Sequence, residues 1–285
     1  MTQSLIPLLE RIAISLERLA PPQPKIENID KHNCFIWSAQ NNELTPIQNM
    51  PFIDFHLLQG IENQKETLFL NTYHFAKNLP ANNVLLWGAR GTGKSSLIKS
   101  VYHEVNSKLS NICPLLKIIE IPRDDIYSLP ILLRLLKPLS YKFIIFSDDL
   151  SFESEDRDYK ALKSVLDGGI AGRPENVLFY ATSNRRHLMP RNMIENESSS
   201  AINPSEAIEE KVSLSDRFGL WIGFHNCSKV LYDQIVIEYA KARKLPISKE
   251  DLIAQANEWS VTRGARNGRV AWQFIEDLTA KLSSG

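Results

Sequence analysis

The spacing of apolar positions changes character along the chain. Leu5, Leu8, Leu9, Ile12, Leu16 and Leu19 recur at helical spacing, which predicts an N-terminal amphipathic helix with Ser4 as cap and Pro7 in its first turn. Pro21, Pro22 and Pro24 end it. Its polar face mixes Glu10 and Glu17 with Arg11 and Arg18, so a protein surface is the expected dock rather than an anionic membrane. Residues 28–55 hold one apolar cluster, Phe35, Ile36 and Trp37, between breakers, and read as irregular. A helix is predicted over 62–77, where Leu68, Phe69, Thr72, Phe75 and Ala76 share a face. Short apolar runs at 84–88, 117–121, 143–146, 177–181 and 220–224 then alternate with helical patterns (Leu97, Ile98 and Val101; residues 129–136; Tyr159, Leu162, Val165 and Leu166). Buried strands interleaved with helices predict an α/β domain. Residues 189–211, rich in Asn, Ser and Glu, are expected to form a mobile loop. Beyond 227 the period is helical throughout, in three segments. The expected organisation is an N-terminal helix and linker over 1–54, an α/β domain over 55–226 and a small helical domain over 227–285.

Composition narrows the partners. The 285 residues carry 33 Lys plus Arg against 33 Asp plus Glu, so no global field favours nucleic acid or an anionic membrane. Cys34, Cys113 and Cys227 are odd in number, far apart and without metal-ligand spacing, which favours free thiols and the cytoplasm. No apolar run is long enough to span a bilayer, and the N-terminus lacks the pattern of a secretory signal.

The candidate chemistry begins at VLLWGARGTGKSS, residues 84–96. Gly88, Gly93, Lys94 and Ser95 fit G-x-x-x-x-G-K-[ST], between a predicted strand and a predicted helix, which is the context the motif requires. Glycines let successive backbone N–H groups curl around phosphate oxygens at a helix N-terminus. The candidate nucleotide contacts are Gly88, Ala89, Arg90, Gly91, Thr92, Gly93, Lys94, Ser95 and Ser96. Lys94 would neutralise the β and γ phosphates, and the Ser95 hydroxyl would ligate Mg²⁺. Upstream, the apolar segment around Ile61 either closes over a purine ring or packs as plain core.

FIIFSDDLSFE gives the second site. A carboxylate where a buried strand emerges can hold Mg²⁺, and its neighbour can orient or deprotonate water; Asp148 is assigned to the metal and Asp149 to the water, with a solvated turn as the alternative. TSNRRHL follows another buried strand, so Asn184 leaves the sheet where it can hold the attacking water, or else it caps a turn.

The order GARGTGKSS, DDLSFE, TSN and SDRFG, followed by a helical segment, resembles the AAA+ ATPases. With ATSNRRHL, LSDRFGLW and GARNGRVAWQF it is similar, over residues 37–280, to a bacterial family of AAA+ ATP-binding proteins known as a domain of unknown function. The resemblance implies a P-loop NTPase core with a five-stranded parallel sheet of order 5-1-4-3-2 and a C-terminal helical lid. It implies ATP with Mg²⁺, Asn184 as sensor 1, Arg217 as a trans-acting arginine finger and Arg266 as sensor 2, with Arg263 and Arg269 of the same TRGARNGR segment as rival candidates for the lid arginine. A finger in trans implies a homo-oligomer, with a hexameric ring as the candidate form, acting on an unidentified protein or nucleic-acid client. The sequence departs from the usual Asp-Glu pair in having Asp148-Asp149, which implies slow hydrolysis or a substitute base at Glu153. A nucleotide-gated binding switch with little turnover is the alternative function. A GTPase would carry a guanine-reading N-K-x-D, which this sequence lacks.

Overall fold

The computed structural model describes residues 11–12, 15–16, 26, 28–110, 115–152, 157–168, 174–186, 188 and 216–283. Most of the expected N-terminal helix, the 189–211 segment, Cys113 and Glu153 lie outside the described residues; residues 11–12 and 15–16 are helical.

Seven strands form one sheet: β1 (Cys34–Ser38), β2 (Glu43–Pro46), β3 (Val84–Gly88), β4 (Lys117–Glu120), β5 (Phe143–Ser147), β6 (Val177–Ser183) and β7 (Leu220–Phe224), in the spatial order β2-β1-β4-β5-β6-β3-β7. All neighbouring pairs are parallel except β1 with β2. Every residue of β5 and β6 is buried, as expected of parallel strands covered on both faces. Alternation within β5 divides the core in two. Phe143 and Ile145 pack toward α3 (Leu129–Leu136) and α4 (Arg157–Leu166). Ile144 and Phe146 pack toward α1 (Glu62–Ala76) and α2 (Lys94–Leu109), because successive strand side chains face opposite ways.

The sheet is larger than the five strands expected, and residues 28–55 are not irregular. β1 adds a sixth parallel strand beside β4, and β2 folds back on it through a turn in which Asn42 takes φ +47°. Phe35 and Trp37 point into the core while Ile36 stays exposed, and the Trp37 indole Nε1 donates to Ser128 Oγ at 2.7 Å. A five-residue alternation is too short to stand out as a period, and its partner lies some eighty residues downstream. The α/β body therefore begins before residue 55.

At the other end, α5 (Lys229–Ala242), α6 (Lys249–Thr262) and α7 (Gly268–Ser283) enclose a separate apolar cluster that includes Tyr232, Val236, Ala256, Ala271 and Ile275. Ser228 and Ser248 cap the first two helices, accepting from the backbone N–H of Leu231 and Asp251.

The arrangement that matters for chemistry is β5-β6-β3. These three adjacent parallel strands bring 148–149, 184 and the glycine-rich turn to one edge of the sheet. In open α/β sheets ligands bind at the carboxyl ends of the strands.

Candidate nucleotide site

The turn after β3 is shaped by contacts that exclude side chains. A Cβ on Gly88 would lie 2.2 Å from the Phe224 carbonyl oxygen of β7, at φ +141°. Gly93, at φ +97°, delivers the chain directly into α2 at Lys94, a conformation glycine adopts at little cost.

Lys94 is 7% exposed. Its Nζ donates to Gly88 O at 2.7 Å, Ala89 O at 2.8 Å and Asn184 Oδ1 at 3.2 Å. Burial pushes its pKa down; Asp148 and Asp149 pull it up, and Arg269 and Arg90 press it down again.

Asp148 and Asp149 emerge from β5 with different partners. Oδ1 of Asp148 accepts from the Ser95 hydroxyl at 2.5 Å and from the Thr182 hydroxyl. The Thr182 oxygen also accepts from the Asp149 backbone N–H at 2.9 Å. Asp149 sits at φ +53°. Its Oδ1 accepts from Asn184 Nδ2, and its Oδ2 is 3.6 Å from the Arg90 guanidinium. Asn184 thus joins Lys94 to Asp149 through its two amide atoms.

A Ser hydroxyl touching a carboxylate is a hard-oxygen pair of the kind Mg²⁺ accepts, and Mg²⁺ usually takes one or two protein ligands and fills its shell with water and phosphate oxygens. Ser95 and Asp148 fit that donor set. No cluster of three or more His, Cys, Asp or Glu suited to a metal occurs among the described residues, so a fuller protein cage is not present there.

These groups line a cleft of about 620 Å³ between the α/β body and the C-terminal helices. Ile53, Leu58, Ile61, Leu231, Ile235 and Trp272 give the same cleft an apolar wall, with Ile61 Cδ1 3.9 Å from where a Cβ on Gly93 would lie. A Cβ on Gly60 would fall 2.4 Å from Leu231 Cδ1, so the segment before α1 meets α5 at close range. Ile61 is in the cleft wall, as is every loop residue from Arg90 to Ser96.

One arginine stands elsewhere than expected. Of the TRGARNGR segment the cleft is lined by Arg269, not Arg266. Asn267 caps α7 by accepting from Val270 N–H at 2.9 Å, and a Cβ on Gly91 would meet the Asn267 side chain at 2.6 Å. The helix therefore starts against the glycine turn with Arg269 in its first turn. Arg266 precedes the cap, where its charge acts on Tyr232. Arg217 is not in the cleft wall either; its Nε donates to Asp167, just beyond α4.

Sequence reading missed the Thr182 hydroxyl, although its position two residues before Asn184 was a signal. It named Arg90 as a loop contact but gave its charge no role, because the motif leaves that position free. Asn267 had no signal beyond its place before a predicted helix.

A variant of Thermotoga maritima RuvB is similar in structure, at 16% identity over 76% of this chain and 69% of that one, with a TM-score of 0.44. The Aeropyrum pernix ORC2 protein, solved as ADPNP-ADP complexes, is similar at 12% identity over 81% of this chain and 70% of that one, with a TM-score of 0.51. A DNA replication initiation factor aligns at 15% identity over 80% and 65%, with a TM-score of 0.48. No curated protein matches the chain in sequence. A family described as "Protein of unknown function (DUF815)" matches residues 30–282. With that match over most of its length, the chain belongs to the DUF815 family.

Proposed function

We infer that this protein binds ATP with Mg²⁺ and hydrolyses it to remodel or load a macromolecular partner. The observation that carries the reading is the convergence of Lys94, the Ser95–Asp148 pair, Asp149 and Asn184 in a single cleft. The apolar residues of its wall, Ile61 among them, suit a purine ring. Lys94 and the backbone N–H groups of Gly91 to Ser96 hold the phosphates. Mg²⁺, held by Ser95 and Asp148, would screen charge on the β and γ phosphates. Asp149 takes a proton from water as its oxygen attacks the γ phosphorus, with Asn184 orienting that water; the bond to ADP breaks and ADP leaves with the electron pair.

The helical unit over 227–285 acts as the lid, with Arg269 taking the sensor role that the resemblance gave to Arg266. The five strands β3 to β7 form the AAA+ core, in the order 5-1-4-3-2 when counted alone. Arg217, turned away from its own cleft, serves a neighbouring subunit in a homo-oligomer. The free thiols of Cys34 and Cys227 suit a reducing cytoplasm. A second reading, a nucleotide-gated switch with little turnover, is favoured by the short Asp149 side chain and its hold by Asn184 and Arg90.

The test is equilibrium binding of a fluorescent ATP analogue together with steady-state phosphate release. Wild type should bind and turn over ATP, and Lys94→Ala should lose binding. Equal affinity in Lys94→Ala overturns the site, whereas tight binding without phosphate release moves the function to the switch.

A further inference from the structure

We propose that Arg90 reads the γ-phosphate: it is an arginine supplied by the phosphate loop itself, which exchanges its Asp149 partner for the terminal phosphate of a bound nucleoside triphosphate. The proposal rests on reading the cleft as an ATP site. It assigns to that site a discrimination between triphosphate and diphosphate.

The placement is specific. Arg90 lies in the loop between Gly88 and Gly91 and lines the cleft beside Asp149. Its side chain is 77% exposed and its guanidinium is 3.6 Å from Asp149 Oδ2, longer than a hydrogen bond, with Asp149 itself 55% exposed. An exposed pair of this kind is weakly held. The terminal phosphate of a nucleoside triphosphate carries more charge than one carboxylate and offers three oxygens to a planar fork, so it competes well for a guanidinium.

The charge balance points the same way. The charged groups in the cleft wall are Arg90, Lys94 and Arg269 against Asp148 and Asp149. Lys94 is buried and committed to the loop carbonyls and Asn184, and Arg90 and Arg269 both press on its charge. An anion between these three cations relieves that repulsion. Arg90 is the one on a long, solvent-exposed stem within the loop, so it can follow the last phosphate without disturbing the core. Its departure also frees one Asp149 oxygen, so the carboxylate is released when a triphosphate is present to be cut. ADP ends one phosphate short and leaves the Arg90–Asp149 pair in place.

The experiment measures the affinities of ADP and of a non-hydrolysable fluorescent ATP analogue with wild type, Arg90→Ala and Arg90→Lys, each also in an Asp149→Asn background. Loss of one charge-assisted contact predicts that Arg90→Ala weakens the triphosphate about tenfold or more while ADP changes by less than about twofold. Arg90→Lys should recover part of the loss, because it keeps charge without the fork. The effect should persist in Asp149→Asn. Equal weakening of both nucleotides, or an effect that vanishes in Asp149→Asn, overturns the proposal and leaves Arg90 as a partner of Asp149 only. If Arg90→Ala does not fold, Arg90→Lys against wild type carries the comparison by the same ratio. Wild type that binds neither nucleotide overturns the ATP reading itself, an outcome separable from the failure of Arg90 alone.

Discussion

Thr182→Val removes a single oxygen from the most connected hydroxyl in the site and keeps the shape of the side chain. Thr182 is 1% exposed, and its hydroxyl donates to the Asp148 carboxylate while accepting from the Asp149 backbone N–H. A hydrogen bond to a charged group contributes about 1.5–3 kcal/mol, and a buried donor left without a partner costs about 1–3 kcal/mol. The first figure is discounted, since Asp148 is exposed, can be rehydrated and keeps the Ser95 hydroxyl. The second is discounted less, because the Asp149 N–H would face a methyl group in the space Thr182 now fills. The net expectation is about 2–3 kcal/mol of lost stability, which in a chain of this size lowers Tm by about 3–5 °C. Urea denaturation and calorimetry measure it, with Thr182→Ser as the control that keeps the hydroxyl. Because the same oxygen holds the Asp148 carboxylate and the backbone from which the Asp149 side chain projects, ATP turnover should fall by about tenfold or more. Stability of the Val variant within about 0.5 kcal/mol of wild type, the noise of neutral substitutions, refutes the hydrogen-bond reasoning. A destabilised variant with unchanged turnover refutes the positioning argument and leaves Thr182 a structural residue.

Asp149→Asn should still bind ATP but release phosphate at least about tenfold more slowly, since it can orient water and cannot take its proton; normal turnover would transfer that role to another group, with Glu153→Gln the variant to measure next. Arg269→Ala should weaken ATP binding while Arg266→Ala leaves it near wild type, as isothermal titration would report; the reverse result would return the lid arginine to Arg266. If Arg217 serves a neighbouring subunit, mixing inactive Lys94→Ala with inactive Arg217→Ala should restore phosphate release, because one keeps its arginine and the other its pocket. An Arg217→Ala protein that hydrolyses ATP normally by itself rules out a finger at that position.

What the sequence determined by itself is what local chemistry dictates. The strand runs at 84–88, 143–146 and 220–224 needed only continuous apolar residues, and the glycine turn needed only conformations and close approaches that glycine alone permits, as Phe224 O against Gly88 bears out. The order of chemical groups along the chain likewise followed from strand ends carrying Lys94, Asp148 and Asn184. Tertiary structure decided everything that depends on partners distant in sequence. β1 is a strand because β4 offers it an edge and the core takes Phe35 and Trp37, neither of which a five-residue pattern declares. Which arginine of Arg263, Arg266 and Arg269 enters the cleft follows from where Asn267 caps α7 against Gly91, a choice among positions three residues apart that periodicity does not resolve. The unequal surroundings of Asp148 and Asp149, and the placing of Arg90 beside one of them, arise only when β5, β6 and β3 lie side by side. A carboxylate's role is set by the donors within hydrogen-bond reach, and those donors come from strands that are neighbours in space while far apart in the chain.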